Sequence, residues 1–232
     1  MYLPLLASLL AASTAAPRLA PERSMIYVAL GDSTGVGVGA GNDGGYVRRT
    51  AERLRQSGLR VQLANLCVSG ARVADVVSGQ LPHLDAVEPE LVTVGVGIND
   101  VTNGTPVPVF EELYGQLLGR LAATGARVVV LEVPDLSLSP LATDQAARLG
   151  IRRRVEAVNA IIHAAAARHR YQVVDLFLES RAELPGHPEL LCSDRFHPSA
   201  AGYDRWAAAL WPAVARAVAQ PAEPLPSEPA RQ

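Results

Sequence analysis

The feature that most constrains the fold is a series of short apolar segments that alternate with longer helical ones. Most of the apolar segments are hydrophobic at nearly every position, unlike a strand with one face in water. They cover residues 25–30, 59–64, 90–96, 126–133 and 171–176, and the helical segments cover 46–56, 73–80, 107–123, 143–168 and 199–219. Strands buried on both faces are typical of a parallel sheet covered by helices. The sequence therefore predicts an α/β fold, a three-layer α/β/α sandwich around a doubly wound five-stranded parallel sheet.

The composition fits one such domain between two atypical ends. The chain has 232 residues, 49% of them hydrophobic, which is enough for a single core. We expect a signal-like hydrophobic N-terminus at 1–20, the domain at 21–219, and a disordered tail rich in Pro and Glu at 220–232. The apolar stretch 2–12 is shorter than the ~20 residues that span a bilayer, and no basic residue precedes Arg18. We therefore expect a secreted or periplasmic monomer without stable membrane insertion, with a cytoplasmic location as the alternative.

Charge and cysteine content exclude some function classes. A formal net charge of −2 gives no general electrostatic reason to bind nucleic acid or an anionic membrane. The run Arg152–Arg153–Arg154 is interpreted as a solvated helix face. Cys67 and Cys192 are compatible with one disulfide or with two buried thiols, and they are too few for a cysteine-based zinc site.

Polar residues that could take part in catalysis lie in four predicted loops. Gly31–Asp32–Ser33 follows the first predicted strand, Gly70 the second and Asn99 the third, and Asp194-x-x-His197 precedes the last helix. The carboxyl ends of parallel strands meet at one edge of a sheet, so these residues are expected to converge there. A serine on a tight turn, a histidine and an aspartate form the arrangement of a nucleophile, its base and the group that orients the base. A backbone N–H and an amide could donate to a developing oxyanion.

The serine turn also satisfies two other motifs, which its context disfavours. Gly31-x-Ser33-x-Gly35 matches the nucleophile elbow of α/β-hydrolases, but that fold places several strands before its serine, and here only one precedes it. Gly35-x-Gly37-x-x-Ala40 matches a dinucleotide fingerprint, yet the second strand ends at Ala64–Asn65 and not at an acidic residue that would bind the ribose.

In order and spacing, the four blocks resemble the SGNH hydrolase superfamily, the GDSL-type esterases and lipases. The family has a GDS turn, a glycine, a G-x-N-D and a D-x-x-H, and the resemblance covers residues 25–211. It implies a flavodoxin-like SGNH fold that uses neither a cofactor nor a metal. It also implies Ser33 as nucleophile, His197 as base and Asp194 as the residue that orients it. The oxyanion hole would consist of the N–H groups of Ser33 and Gly70 and the side chain of Asn99. Thr34 stands where the family name has leucine, which bears on the subfamily.

The resemblance implies a serine esterase acting on a small-molecule, glycan or lipid ester. Aromatic residues make up 5% of the chain and no hydrophobic lid is evident, so we expect short acyl or acetyl esters. Loops 101–110, 134–140 and 183–193 are expected to wall the pocket. An acyltransferase or a carbohydrate O-acetyl esterase would use the same residues, and a non-catalytic carbohydrate- or lipid-binding module is a further alternative.

Overall fold

The computed structural model describes residues 24–139 and 142–219, which contain a five-stranded, all-parallel sheet. Its strands are β1 (Ser24–Gly31), β2 (Arg60–Asn65), β3 (Leu91–Gly95), β4 (Arg127–Leu131) and β5 (Gln172–Val174). Its helices are α1 (Ser33–Val36), α2 (Tyr46–Gln56), α3 (Val73–Asp75), α4 (Ile98–Thr102), α5 (Val107–Ala122), α6 (Gln145–Arg168), α7 (Leu176–Glu183) and α8 (Ala200–Ala219). Helices cover both faces of the sheet, and the predicted three-layer sandwich is confirmed.

Strand β1 shows why the strands carry no polar face. Met25, Tyr27 and Ala29 belong to the core under α2 and α8, whereas Val28 and Leu30 belong to the core under α5 and α6. All five are fully buried, because successive side chains of a strand point to opposite faces and each face is covered here.

The strand order places a topological switch point at the centre of the sheet. The order is β2-β1-β3-β4-β5, so the chain passes from β1 to one side and then returns to β3 on the other side. The last residue pair in the register of β1 and β3 is Gly31 with Gly95. Ligands of open α/β sheets bind beyond the carboxyl ends of the strands at such a point. Ser33 and Asn99 follow these two strands.

The structure differs from the sequence prediction in two segments: the end of the fifth strand and the helix at 73–80. The fifth strand ends at Val174, and the part predicted as strand up to residue 176 was wrong, because Asp175 caps a new helix, α7. Its carboxylate accepts a hydrogen bond of 2.8 Å from the backbone N–H of Leu178. The helix predicted at 73–80 is α only over Val73–Asp75 and continues as a π turn over Val76–Gln80, before a 3-10 turn over Leu81–Ala86.

The predicted N-terminal segment 1–20 and tail 220–232 lie outside the described residues. Across 24–139 and 142–219, none of the helices combines the length and the apolar character needed to cross a membrane.

A buried amide fixes the chain just beyond β4. The side chain of Asn159, on α6, accepts from the N–H of Val133 and donates to its carbonyl oxygen, both at 2.9 Å. Asn159 is only 5% exposed, so water does not replace these bonds. Helix α6 is thereby held in register with the carboxyl end of β4.

We predict that Asn159→Leu lowers the free energy of unfolding by about 2–4 kcal/mol, because it leaves two buried backbone groups without partners. Urea denaturation measures the change. Gln116→Leu, which removes an exposed amide of α5, is the matched control. Equal destabilisation by the two variants would contradict this role for Asn159.

Candidate active site

Three side chains that the sequence placed in one site form a continuous chain of hydrogen bonds. The Oγ atom of Ser33 lies 2.8 Å from Nε2 of His197, and Nδ1 of His197 lies 2.7 Å from Oδ2 of Asp194. Ser33 and His197 are separated by 164 positions in the chain, so the tertiary fold brings them together. A hydroxyl, an imidazole and a carboxylate in this order form the hydrogen-bond pattern of an activated serine.

The turn that carries Ser33 is held by the backbone of two other segments and by one amide side chain. Gly31 donates to Oε1 of Gln80 and accepts from its Nε2, both at 2.8 Å. The Gly31 carbonyl also accepts from the N–H of Val68 at 3.1 Å, and the N–H of Asp32 donates to the Gly95 carbonyl at 3.3 Å. Gly31 has a φ of 153°, and a Cβ there would lie 2.2 Å from the Gly95 oxygen, so only glycine fits.

Asp32 caps the single turn of helix that begins at Ser33. Its Oδ1 accepts from the N–H of Thr34 at 2.9 Å and from the Thr34 hydroxyl at 2.8 Å. Asp32 is fully buried, and its Oδ2 has no hydrogen-bond partner among the residues that the structure describes. Burial raises the pKa of Asp32 to about 6, against the lowering effect of the Thr34 bonds and of nearby His197.

Asp194 differs from Asp32 in two ways: it is partly exposed, and both of its carboxylate oxygens take part in hydrogen bonds. Its Oδ1 accepts from the backbone N–H groups of Phe196 and His197, both at 2.8 Å, while Oδ2 binds the imidazole. Partial burial acts to raise the pKa of Asp194, but the hydrogen bonds from His197, Cys192 and the backbone outweigh it and hold that pKa well below its usual range. Arg195 adopts a left-handed conformation (φ 55°), which closes the tight turn between Asp194 and His197.

The predicted oxyanion donors lie at the start of α1, in the loop after β2 and in the first turn of α4. Within residues 24–139 and 142–219, the N–H groups of Ser33 and Gly70 have no hydrogen-bond partner. The side-chain amide of Asn99 donates one hydrogen to the carbonyl of Ala71 at 3.0 Å and retains a second. The bond to Ala71 holds Asn99 beside the loop of Gly70.

A second bond joins α4 to the start of α3, which follows the loop of Gly70. Oδ2 of Asp100 accepts from the N–H of Val73 at 2.9 Å, and Asp100 is 1% exposed.

The guanidinium of Arg154 donates to the carbonyl oxygens of Asp100 and Thr105, so the interpretation of this arginine as part of a solvated face was wrong. Burial raises the pKa of Asp100, although its hydrogen bonds act in the other direction.

An apolar cavity borders the hydrogen-bonded triad. Thr34 and His197 line its inner side, and most of the remaining wall comes from α7, α8 and the loop after β4. Two of the three loops predicted to wall a pocket, 134–140 and 183–193, contribute to it. Residues 101–110 do not line this cavity.

The two cysteines are free thiols on opposite flanks of the serine turn. A Cβ at Gly35 would lie 2.3 Å from Sγ of Cys67, and one at Gly39 would lie 3.0 Å from Sγ of Cys192. Burial raises the pKa of Cys67 far above its usual value. Of the two alternatives that the sequence left open, one disulfide or two buried thiols, the structure has two thiols, but both are partly exposed.

Sequence patterns gave no indication of several residues that support the site. Gln80 carries no motif, and its bonds to Gly31 cross 49 positions of the chain. Asn65 is similar, with its amide donating to the Gly35 carbonyl at 2.9 Å. Only the position of Asn65 at a strand end could have suggested a role.

Comparison with known proteins agrees with this geometry. The GDSL-like Lipase/Acylhydrolase family matches residues 29–205, a span that runs from β1 into α8. The chain belongs to this family. Like other members, it is an ester hydrolase. No curated protein is a significant sequence match.

Solved structures of similar fold extend the comparison. The chain is 25% identical to TesA, with a TM-score of 0.70, covering 83% of this chain and 99% of TesA. It is 26% identical to LAE5, an alpha/beta hydrolase enzyme from the metagenome of Lake Arreo, Spain, with a TM-score of 0.67 and coverage of 82% and 95%. The acetyl xylan esterase AlAXEase, at 22% identity, shares the fold with a TM-score of 0.67 and coverage of 82% and 100%.

The buried carboxyl of Asp32 makes stability depend on pH. Its folded-state pKa of about 6 lies above the unfolded value of ~3.9, so its favourable contribution is complete below pH 4 and is lost as the pH rises through 6. Asp32→Asn cannot ionise and keeps an acceptor for Thr34. Between pH 4 and pH 7 we expect the unfolding free energy of the variant to gain about 2 kcal/mol relative to the unmodified protein.

Urea denaturation at both pH values checks this expectation. Asp43→Asn, which removes an exposed carboxyl, is the control. If the difference in unfolding free energy between Asp32→Asn and the unmodified protein is the same at both pH values, the expectation is refuted.

Proposed function

We propose that this GDSL-family member is a serine esterase that hydrolyses carboxylic esters through an acyl-enzyme on Ser33. The observation that carries the proposal is the chain of hydrogen bonds from Ser33 Oγ through the His197 ring to Asp194, at 2.8 and 2.7 Å. Family membership supports the class of reaction, and the bonded side chains supply its nucleophile and base.

In the first step, Nε2 of His197 takes the hydroxyl proton as Ser33 Oγ bonds to the ester carbonyl carbon. The imidazole gains a positive charge, and the ionised Asp194 at Nδ1 stabilises it. Two backbone N–H bonds keep the carboxylate aligned with the ring, so the imidazole is oriented before substrate arrives.

The carbonyl oxygen becomes negative in this step, and three donors would receive it. We propose the N–H groups of Ser33 and Gly70 and the free amide hydrogen of Asn99. The N–H of Ser33 belongs to the first turn of α1, where a backbone donor has no partner within the helix. The bonds of Asn99 to Ala71 and of Asp100 to Val73 would hold these donors in position.

Collapse of the tetrahedral intermediate breaks the bond to the alcohol, which leaves with the proton from His197. A water molecule then gives a proton to His197 and attacks the acyl group on Ser33. The acid is released as that proton returns to Ser33. We propose water as the acceptor, and small-molecule or glycan esters of short acyl groups as the substrates.

We predict that Ser33→Ala abolishes hydrolysis of p-nitrophenyl butyrate and labelling by a fluorophosphonate probe, because the variant lacks the only nucleophile of the mechanism. Ester hydrolysis is followed by absorbance and labelling by intact-protein mass. Ser78→Ala, which removes an exposed hydroxyl on the adjacent π turn, is the control. Retained activity in Ser33→Ala would refute the assignment.

Asn99→Ala should lower kcat by about 10²–10³-fold with little change in KM, because an oxyanion donor acts mainly in the transition state. Steady-state kinetics on the same ester measures both constants, and Asn42→Ala, an exposed asparagine, is the control. A rise in KM at constant kcat would instead make Asn99 a ground-state binding residue.

A further inference from the structure

Gln80 is a buried amide beside the serine turn that belongs neither to the triad nor to the proposed oxyanion donors. It ends the π turn that follows α3, and it is only 2% exposed. Val73 and Val76, the other buried residues of 73–80, belong to the apolar core, so position 80 follows the pattern of a core residue. Burying an amide there costs free energy unless its hydrogen bonds are made.

The amide supplies the donor and the acceptor that a neighbouring strand would offer to Gly31. Strand β2 ends opposite Ala29, before it reaches Gly31. Oε1 of Gln80 accepts from the N–H of Gly31, and Nε2 donates to the carbonyl of the same residue, both at 2.8 Å. Ser33 follows in the chain after the cap residue Asp32. The amide therefore fixes the direction in which the backbone leaves β1 for the nucleophile.

The connection that carries Gln80 also carries a proposed oxyanion donor. Gly70 lies in the same connection, between β2 and β3. Next to it, the carbonyl of Ala71 accepts from the side chain of Asn99 at 3.0 Å. This connection is thus bonded to the nucleophile turn through Gln80 and to α4 through Ala71. The three groups that would meet the ester carbonyl are linked by these bonds.

We propose that Gln80 is a positioning residue of the reaction, whose amide holds Ser33 at the working distance from Gly70 and Asn99. This inference rests on the function proposed above. Displacement of a nucleophile slows the chemical step, whereas binding of the ester depends on contacts that Gln80 does not make. Loss of the amide should therefore lower kcat and leave KM nearly unchanged.

A second amide of the chain makes the same pair of bonds at another strand end and provides the matched control. Asn159 accepts from the N–H of Val133 and donates to its carbonyl, both at 2.9 Å, and it is 5% exposed. Replacement of either amide removes two buried hydrogen bonds, so both replacements should destabilise the fold. Only the replacement of Gln80 should change kcat per folded molecule.

The first experiment compares Gln80→Leu, Asn159→Leu and the unmodified protein on p-nitrophenyl butyrate. Urea denaturation gives the folded fraction of each, and the rates are expressed per folded molecule. Gln80→Leu should lower kcat by about 10- to 100-fold and keep KM within about twofold. Asn159→Leu should keep both constants within about twofold of the unmodified protein.

Gln80→Glu adds a pH-dependent test that a loss of stability does not imitate. A protonated carboxyl has a donor and an acceptor and can make both bonds to Gly31, whereas a carboxylate has only acceptors and repels the Gly31 carbonyl. Burial raises the pKa of the introduced carboxyl above its usual value of about 4.3, and its proton is lost as the pH rises.

The ratio of kcat in Gln80→Glu to kcat in the unmodified protein should therefore fall by about tenfold or more from about pH 5.5 to about pH 8.5. Taking the ratio removes the titration of His197, which both proteins share. Asn159→Asp, which places a carboxyl at the second amide, should give a ratio per folded molecule that does not change with pH.

Four results would overturn the inference. These are an unchanged kcat in Gln80→Leu, a loss that appears in KM alone, an equal loss of kcat in Asn159→Leu, and a Gln80→Glu ratio that is constant with pH. If Gln80→Leu does not fold, the pH dependence of Gln80→Glu decides. The proposed function fails separately, when the unmodified protein cleaves no ester and the fluorophosphonate does not label Ser33.

Discussion

The carboxyl ends of β1 and β3 approach so closely that the carbonyl of Gly95 occupies the space where a Cβ of Gly31 would lie, at 2.2 Å. This contact lies at the switch point of the sheet. The segments that follow β1 and β3 therefore lie in the same crevice. The amide of Gln80 then fixes Gly31 from a third segment. The positions of Ser33 in α1 and of Asn99 in α4 both depend on this backbone contact.

The charged groups around His197 are divided between two environments. Asp194 lies at the surface, where four hydrogen bonds hold its pKa low and keep it ionised beside the ring. Asp32 lies in the core, where burial raises its pKa to about 6 and one oxygen has no partner within 24–139 and 142–219. The surface carboxylate is therefore placed for its proposed role of orienting His197, while the buried one caps the turn of Ser33 and reduces stability as it ionises.

Helix α7 links the fold to the cavity beside the triad. It begins at Leu176 because Asp175 caps it, and its inner face closes the cavity against α8. Most of the cavity wall comes from residues between the family sequence blocks, although Ile98, Phe196 and His197 lie within them. The shape of the cavity thus depends largely on segments that the motifs do not describe.

The sequence by itself determined the layers of the fold and the set of chemical residues. Apolar strands require cover on both faces, and the order of Ser33, Gly70, Asn99 and Asp194-x-x-His197 along the strand ends predicted which groups meet. Only the tertiary structure decided the bonds of Gln80 and Asn159, the ionisation of Asp32, and the cavity between α7 and α8. Local pattern reports whether a residue is apolar and on which face it lies. The partner of a buried amide and the space left between two helices depend on packing between segments far apart in the chain, which no local pattern encodes.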